Sequence, residues 1–124
     1  MDTLYSDILL DLYRRPLNKK PLANFDVSEK VTNPLCGDEI ELFIKFNKND
    51  TVAGVGWMGN GCAVSQTAAS LLTEEIKNKT KAELKKITPQ TIAEPLGLTN
   101  LNPTRTRCLL LAFTALQKIT TIEQ

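Results

Sequence analysis

The chain contains no histidine. Ser-His-Asp and Cys-His catalysis are therefore closed to it, and any metal site must be built from thiolates and carboxylates. Cysteine is scarce too: only Cys36, Cys62 and Cys108 occur. An odd number does not complete a disulfide framework, which takes cysteines in pairs. In a reducing cytosol, cysteines serve as metal ligands, reactive thiols or small core residues. Charge of one sign is lacking as well, since 15 basic and 14 acidic residues leave a net charge of +1. That leaves no basic field to hold nucleic acid or an anionic membrane. Long apolar runs are missing, and the stretch from Leu109 to Phe113 is far too short to span a bilayer. Asp2 and Asp7 precede the first basic residue, which is not the make-up of a secretory signal. Together these absences predict a cytoplasmic, soluble protein with neither nucleic acid nor membrane as partner.

What is present describes one domain over residues 1–124, with 42% apolar residues to build a core. Leu4, Ile8, Leu9 and Leu12 have helical spacing, predicting a helix from Leu4 to Arg15 that Pro16 stops. Leu17 to Asn24 reads as loop. Residues 39–47 alternate: Ile40, Leu42, Ile44 and Phe46 point one way, and Glu39, Glu41, Lys45 and Asn47 the other, with Phe43 out of step. Period two predicts a half-buried strand. Lys48-Asn49-Asp50 is a turn, Val52 to Met58 the hairpin partner, and Phe25 to Thr32 a third strand. The second half is helical. Helices are predicted over Ser65 to Lys77, over Lys81 to about Ile87 behind a Thr80/Glu83 capping box, and after Thr88-Pro89 to near Pro95 and Gly97. A last one runs from about Thr104 to Thr120, with Leu109, Ala112, Leu116 and Ile119 near one face. The expected class is α+β, helices packed on a three-stranded antiparallel sheet.

Each cysteine falls at a junction. Cys36 lies in Asn33-Pro34-Leu35-Cys36-Gly37-Asp38 between two strands, Cys62 ends the link Gly59-Asn60-Gly61-Cys62, and Cys108 stands in the first turns of the last helix. Singly, each also fits a small core residue. Together, they favour one shared site. A helix N-terminus lowers a thiol's pKa, and Cys62 and Cys108 are both placed for that. Cys36 and Asp38 are two apart, so on an extended strand they share a side. Three thiolates and a carboxylate suit tetrahedral zinc or an iron–sulfur cluster, and not the all-oxygen shells of magnesium or calcium. A carboxylate in place of a fourth thiolate makes the site more labile, which suits cargo that must be given away. The plainer readings are a turn aspartate for Asp38, solvated charges for Arg105 and Arg107, sheet packing for Trp57, and a solvated face for the lysines at 77, 79, 81, 85 and 86.

At these residues the sequence resembles the U-type scaffold family of iron–sulfur cluster assembly, with its IscU, SufU and NifU N-terminal types. Asn33 to Asp38, Gly59 to Ser70, and Arg105 to Ala112 carry the likeness, and the first helix with Tyr13 and Pro16 fits it. The resemblance implies a SufE/NifU-like fold and a scaffold and carrier, not an enzyme in the usual sense. It implies that sulfur comes from a cysteine desulfurase, that iron is bound, and that a transient 2Fe-2S cluster is built and passed to acceptor apo-proteins. Cys36, Asp38, Cys62 and Cys108 would be the ligands of that cluster or of Zn2+. Cys108 would be the sulfur acceptor in IscU-like members and Cys36 in SufU-like ones. Arg107 stands where IscU-like members have histidine, and guanidinium does not ligate. That loss is SufU-like and implies the alternative, a zinc-bound sulfur acceptor relaying persulfide sulfur. The short spacing from Cys62 to Cys108 is IscU-like. Leu101 to Arg105 echoes in part the segment through which an Hsp70-type chaperone is recognised.

Overall fold

The computed structural model describes residues 7–34, 37–98 and 103–122, without the side chains at 104 and 122. In chain order the elements are helix α1 (Asp7–Arg14), strands β1 (Val27–Thr32), β2 (Glu39–Phe46) and β3 (Val52–Asn60), then helices α2 (Ala63–Ile76), α3 (Lys81–Leu84), α4 (Pro89–Leu96) and α5 (Pro103–Ile122). The strands form one antiparallel sheet in the order β1-β2-β3. The fold is therefore the expected α+β arrangement.

The alternation along β2 sets the layers. Ile40, Leu42 and Ile44 are fully buried, and Leu42 and Ile44 stand opposite Trp57 and Val55 of β3. Val64, Ala68, Leu72 and Ile76 of α2 and Ala112, Leu116 and Ile119 of α5 complete this core. Phe43, out of step in the sequence, lies in the other set of alternating positions and packs on Phe25, ring centroids 5.3 Å apart. The register shifts between Lys45 and Phe46, just before the turn. There Asn47 Oδ1 accepts from the backbone N–H groups of Asn49 and Thr51, at 2.9 and 3.1 Å.

Helix α2 also buries polar groups. The hydroxyls of Thr67 and Thr73 donate back to the carbonyls of Ala63 and Ala69, at 2.7 and 2.8 Å, so neither is left unpaired. The capping box of α3 is formed in full, with Thr80 Oγ1 accepting from Glu83 N and Glu83 Oε1 from Thr80 N. That helix is shorter than predicted. Beyond Leu84 the chain tightens into i−3 bonds from Lys86 to Glu83 and from Ile87 to Leu84. Helix α4 opens on Pro89, keeps Pro95 inside its last turn, and ends on Gly97 in the left-handed region.

The N-terminal part departs most from expectation. Of the four apolar residues read as one helical face, Leu9 and Leu12 are buried, Ile8 is 50% exposed, and Leu4 lies outside the described residues. A helix of eight residues beside α2 and α4 buries one narrow stripe, and Ile8 falls off it. The stretch read as loop, residues 17–24, is a strap along the free edge of β3. Trp57 donates its backbone N–H to Asn18 O at 3.0 Å and its indole N–H to Leu17 O at 2.8 Å. Leu22 then lies over Gly54 and Gly56, and Phe25 reaches Phe43. No described helix is long and apolar enough to cross a membrane.

Candidate metal centre

Three junctions meet at one end of the sheet. Glu39, the first residue of β2, pairs with both Thr32 of β1 and Asn60 of β3. Asp38 precedes that position and Cys62 follows it two residues beyond β3, so the sheet register alone brings them close. Helix α5 adds Cys108 from its second turn. A carboxylate oxygen of Asp38 and the Sγ atoms of Cys62 and Cys108 all lie within 4.8 Å of one another. Cys36, the fourth expected ligand, lies outside the described residues.

The loop that delivers Asp38 is a tight turn. Gly37 N donates to Asn33 O and Asn33 N to Asp38 O, both at 2.8 Å. Gly37 has φ +76°, a left-handed conformation that glycine adopts without strain. The backbone at Gly37 is therefore not extended. The expectation that Cys36 and Asp38 share a side falls on Cys36, which lies outside the described residues.

Asp38 is 6% exposed. Its Oδ2 accepts from Ser65 Oγ at 3.1 Å, from the Cys108 thiol at 3.4 Å, and from Cys62 N at a long 3.4 Å. Cys62 is exposed and is the N-cap residue of α2. Cys108 is 4% exposed and belongs to the hydrophobic core as well as to this cluster. The two readings of Cys108, core residue and site residue, thus describe the same atom.

The expected lowering of the Cys108 pKa is overturned. Burial pushes its thiol well above the ordinary range, and the neighbouring Cys62 and Asp38 push in the same direction. Its place inside the second turn takes it past the free amides at the helix start, so little opposes desolvation. Arg107, next along the helix, is exposed and Arg105 half-buried.

Gly61 lets this corner close. A Cβ there would stand 2.8 Å from Asp38 Cγ and 2.9 Å from Oδ2, and would also collide with Ser65 Oγ. Gln66 Nε2 donates to Gly61 O at 2.8 Å, and Lys19 Nζ donates to Gln66 Oε1 at 2.9 Å. The strap is thereby tied to the Cys62 loop. Sequence reasoning missed Ser65 and Gln66 as parts of the site. No local pattern in the sequence marked either residue, since Cys62-x-x-Ser65 lacks the residue types of a capping box. Trp57 is fully buried, in keeping with a packing role.

The donor set fits a soft divalent ion. With zinc–sulfur bonds of about 2.3 Å, two thiolates on one tetrahedral ion stand about 3.8 Å apart. The ligand atoms of Asp38, Cys62 and Cys108, within 4.8 Å of one another, stand near that spacing. A bound cation would reverse the electrostatics at Cys108, because a coordinating thiol is deprotonated.

The fold is thus a small α+β domain that gathers two thiols and a carboxylate at one end of its sheet. Residues 4–121 match the NifU-like N-terminal domain family, and the chain belongs to that family. It is 39% identical over 79 residues to the zinc-dependent sulfurtransferase SufU of Bacillus subtilis, covering 64% of this chain and 52% of that protein, about half its length. It is 34% identical over 115 residues to the iron–sulfur cluster assembly scaffold protein IscU 1 of Archaeoglobus fulgidus, covering 93% of this chain and 73% of the relative. A crystal structure from Fervidobacterium islandicum, described as a candidate scaffold of the SUF system, superposes with a TM-score of 0.78 at 25% identity, covering 93% and 95% of the two chains. The N-terminal part of a NifU-like protein from Brucella abortus shares the fold, with a TM-score of 0.76 at 20% identity and 95% and 93% coverage.

Proposed function

We propose that this protein is an iron–sulfur cluster assembly scaffold. It takes sulfur from a cysteine desulfurase, binds iron, builds a transient 2Fe-2S cluster and passes it to apo-proteins. Cys36, Asp38, Cys62 and Cys108 hold the cargo in this reading. The observation that carries it is the meeting of Asp38, Cys62 and Cys108 within 4.8 Å, beside an exposed Cys62. The relative named as a scaffold, aligned over 93% of this chain, supports the same reading.

The chemistry sets what must be supplied. A thiolate of the scaffold attacks the outer sulfur of a desulfurase persulfide. One S–S bond forms, the other breaks, and the desulfurase thiolate leaves. Each sulfur then takes two electrons on becoming sulfide. For two sulfides, two ferrous ions give one electron each, and a one-electron donor of ferredoxin type gives the remaining pair. Asp38 completes the shell with a carboxylate, which exchanges more readily than a thiolate.

A second reading, a zinc-bound sulfur acceptor, is favoured by one observation. Cys108 is buried and its thiol is pushed up in pKa, so a resident cation is the means to ionise it. Arg107 in place of a histidine and the likeness to a zinc-dependent sulfurtransferase agree with that. In this reading Asp38, Cys62 and Cys108 would hold zinc, which would keep the two thiols ionised for reaction with a persulfide.

The test begins with anaerobic purification and measurement of zinc and iron. A cysteine desulfurase, cysteine, ferrous iron and a reductant are then added. An iron–sulfur absorption spectrum that moves to an apo-ferredoxin is the expected result. Persistent zinc, no cluster and faster desulfurase turnover would overturn the scaffold reading in favour of the acceptor. Unchanged metal content after replacing each ligand in turn would sink the site itself.

A further inference from the structure

Ser65 is fully buried at the third helical position of α2, directly behind the ligand cluster. Its hydroxyl carries one hydrogen and faces three acceptors. These are Asp38 Oδ2 at 3.1 Å, the Cys62 carbonyl at 3.0 Å and Cys62 Sγ at 3.8 Å. The carbonyl of Cys62 also accepts from Gln66 N at 3.1 Å. Asp38 Oδ2 also accepts from two other groups here. One is the Cys108 thiol, at 3.4 Å. The other is Cys62 N, at a distance of 3.4 Å that makes a weak bond.

We infer that Ser65 is a positioning residue for Asp38: its buried hydroxyl donates to Oδ2 and so orients the carboxylate toward the ion. Partners that orient a ligand in this way commonly change metal affinity by roughly 10–100-fold. Gly61 keeps this arrangement possible, since any side chain there meets both Ser65 Oγ and the Asp38 carboxylate. The inference rests on the reading of Asp38 as a ligand, and the test separates the two.

Zinc affinity is measured by chelator competition for the unaltered protein, Asp38→Ala, Ser65→Ala and the double variant, with cobalt(II) absorption as a second readout. Asp38→Ala is expected to weaken zinc. If it does not, the ligand reading fails first. Given that loss, Ser65→Ala is expected to weaken zinc by roughly 10–100-fold, and to change it less than about 2-fold when Asp38 is already Ala, the mark of two residues acting as a unit. The cobalt bands should shift with Ser65→Ala only while Asp38 is present. Equal losses on both backgrounds, or no loss on the first, overturn the inference and leave the metal site standing. If Ser65→Ala does not fold, recovery of folding in the double variant supports the inference, because the lost Ser65 bond to the carboxylate is then the cause. Failure of both to fold overturns it.

Discussion

The inner face of the sheet and the corner at its end are both buried, yet they are built on opposite principles. Ile40, Leu42, Ile44 and Val55 fill space against the helices and need no particular partner, and Trp57 adds to that apolar volume a single side-chain hydrogen bond, to Leu17 O. At the corner, buried groups are held by specific partners: Asp38 by Ser65 and Cys108, Ser65 by Asp38 and Cys62, Gly61 O by Gln66. Apolar volume supplies stability through the area it removes from water. The polar corner contributes little of that and spends its contacts on orientation. Damage to the first region should therefore appear in stability, and damage to the second in metal affinity.

The largest effect is expected at Trp57. Trp57→Ala should cost about 3–5 kcal/mol of stability, read by urea denaturation, while any fraction that stays folded keeps its metal stoichiometry. Loss of metal from the folded fraction would break the comparison. Gly61→Ala is the converse. It should lower zinc affinity by roughly 10–100-fold through displacement of Asp38 and Ser65, with a far smaller change in the metal-free melting temperature. A melting temperature that falls as far as for Trp57→Ala would show that the corner is part of the core.

Next comes pH. In the metal-free protein Cys108 stays protonated well above the ordinary thiol range. The unfolded chain ionises near about pH 8.5, whereas the folded chain does not. The folded state thus has its full advantage below that pH and loses it as pH rises further, by up to about 1.4 kcal/mol per pH unit. Melting curves at about pH 8 and about pH 10 should diverge more for the unaltered protein than for Cys108→Ser. Parallel behaviour would remove Cys108 from the account. The smallest effect belongs to Thr80, which bridges Thr51 at the end of β3 away from the ligand cluster. Thr80→Ala should cost about 1 kcal/mol through the lost cap and leave zinc titrations unchanged.

The parts legible in the sequence were those governed by local rules. Period two drew β2 with Phe43 as its exception, the Thr80/Glu83 pair marked α3, and the four apolar positions of α5 all proved buried. Residues at junctions pointed to Asp38, Cys62 and Cys108, and the sheet register brings them together. What escaped depends on contacts across the chain. No local pattern shows that Ser65 meets Asp38, or that Lys19 reaches Gln66. The pKa direction at Cys108 was misjudged because nearness to a helix start can be read from sequence, whereas burial among like charges cannot. Ile8 was misplaced because a short helix buries less than its apolar residues offer.

The strap has one more consequence. Assembly of strands edge to edge is a chain reaction, and it propagates only where each added unit presents a fresh unpaired edge. In this sheet the strap occupies the β3 side through Asn18 and Trp57. Among the described strands only β1 keeps a free side, six residues long with Lys30 in it. Two molecules joined through β1 would each have used their one open edge. Such growth terminates at a pair, and the fold carries its own chain terminator.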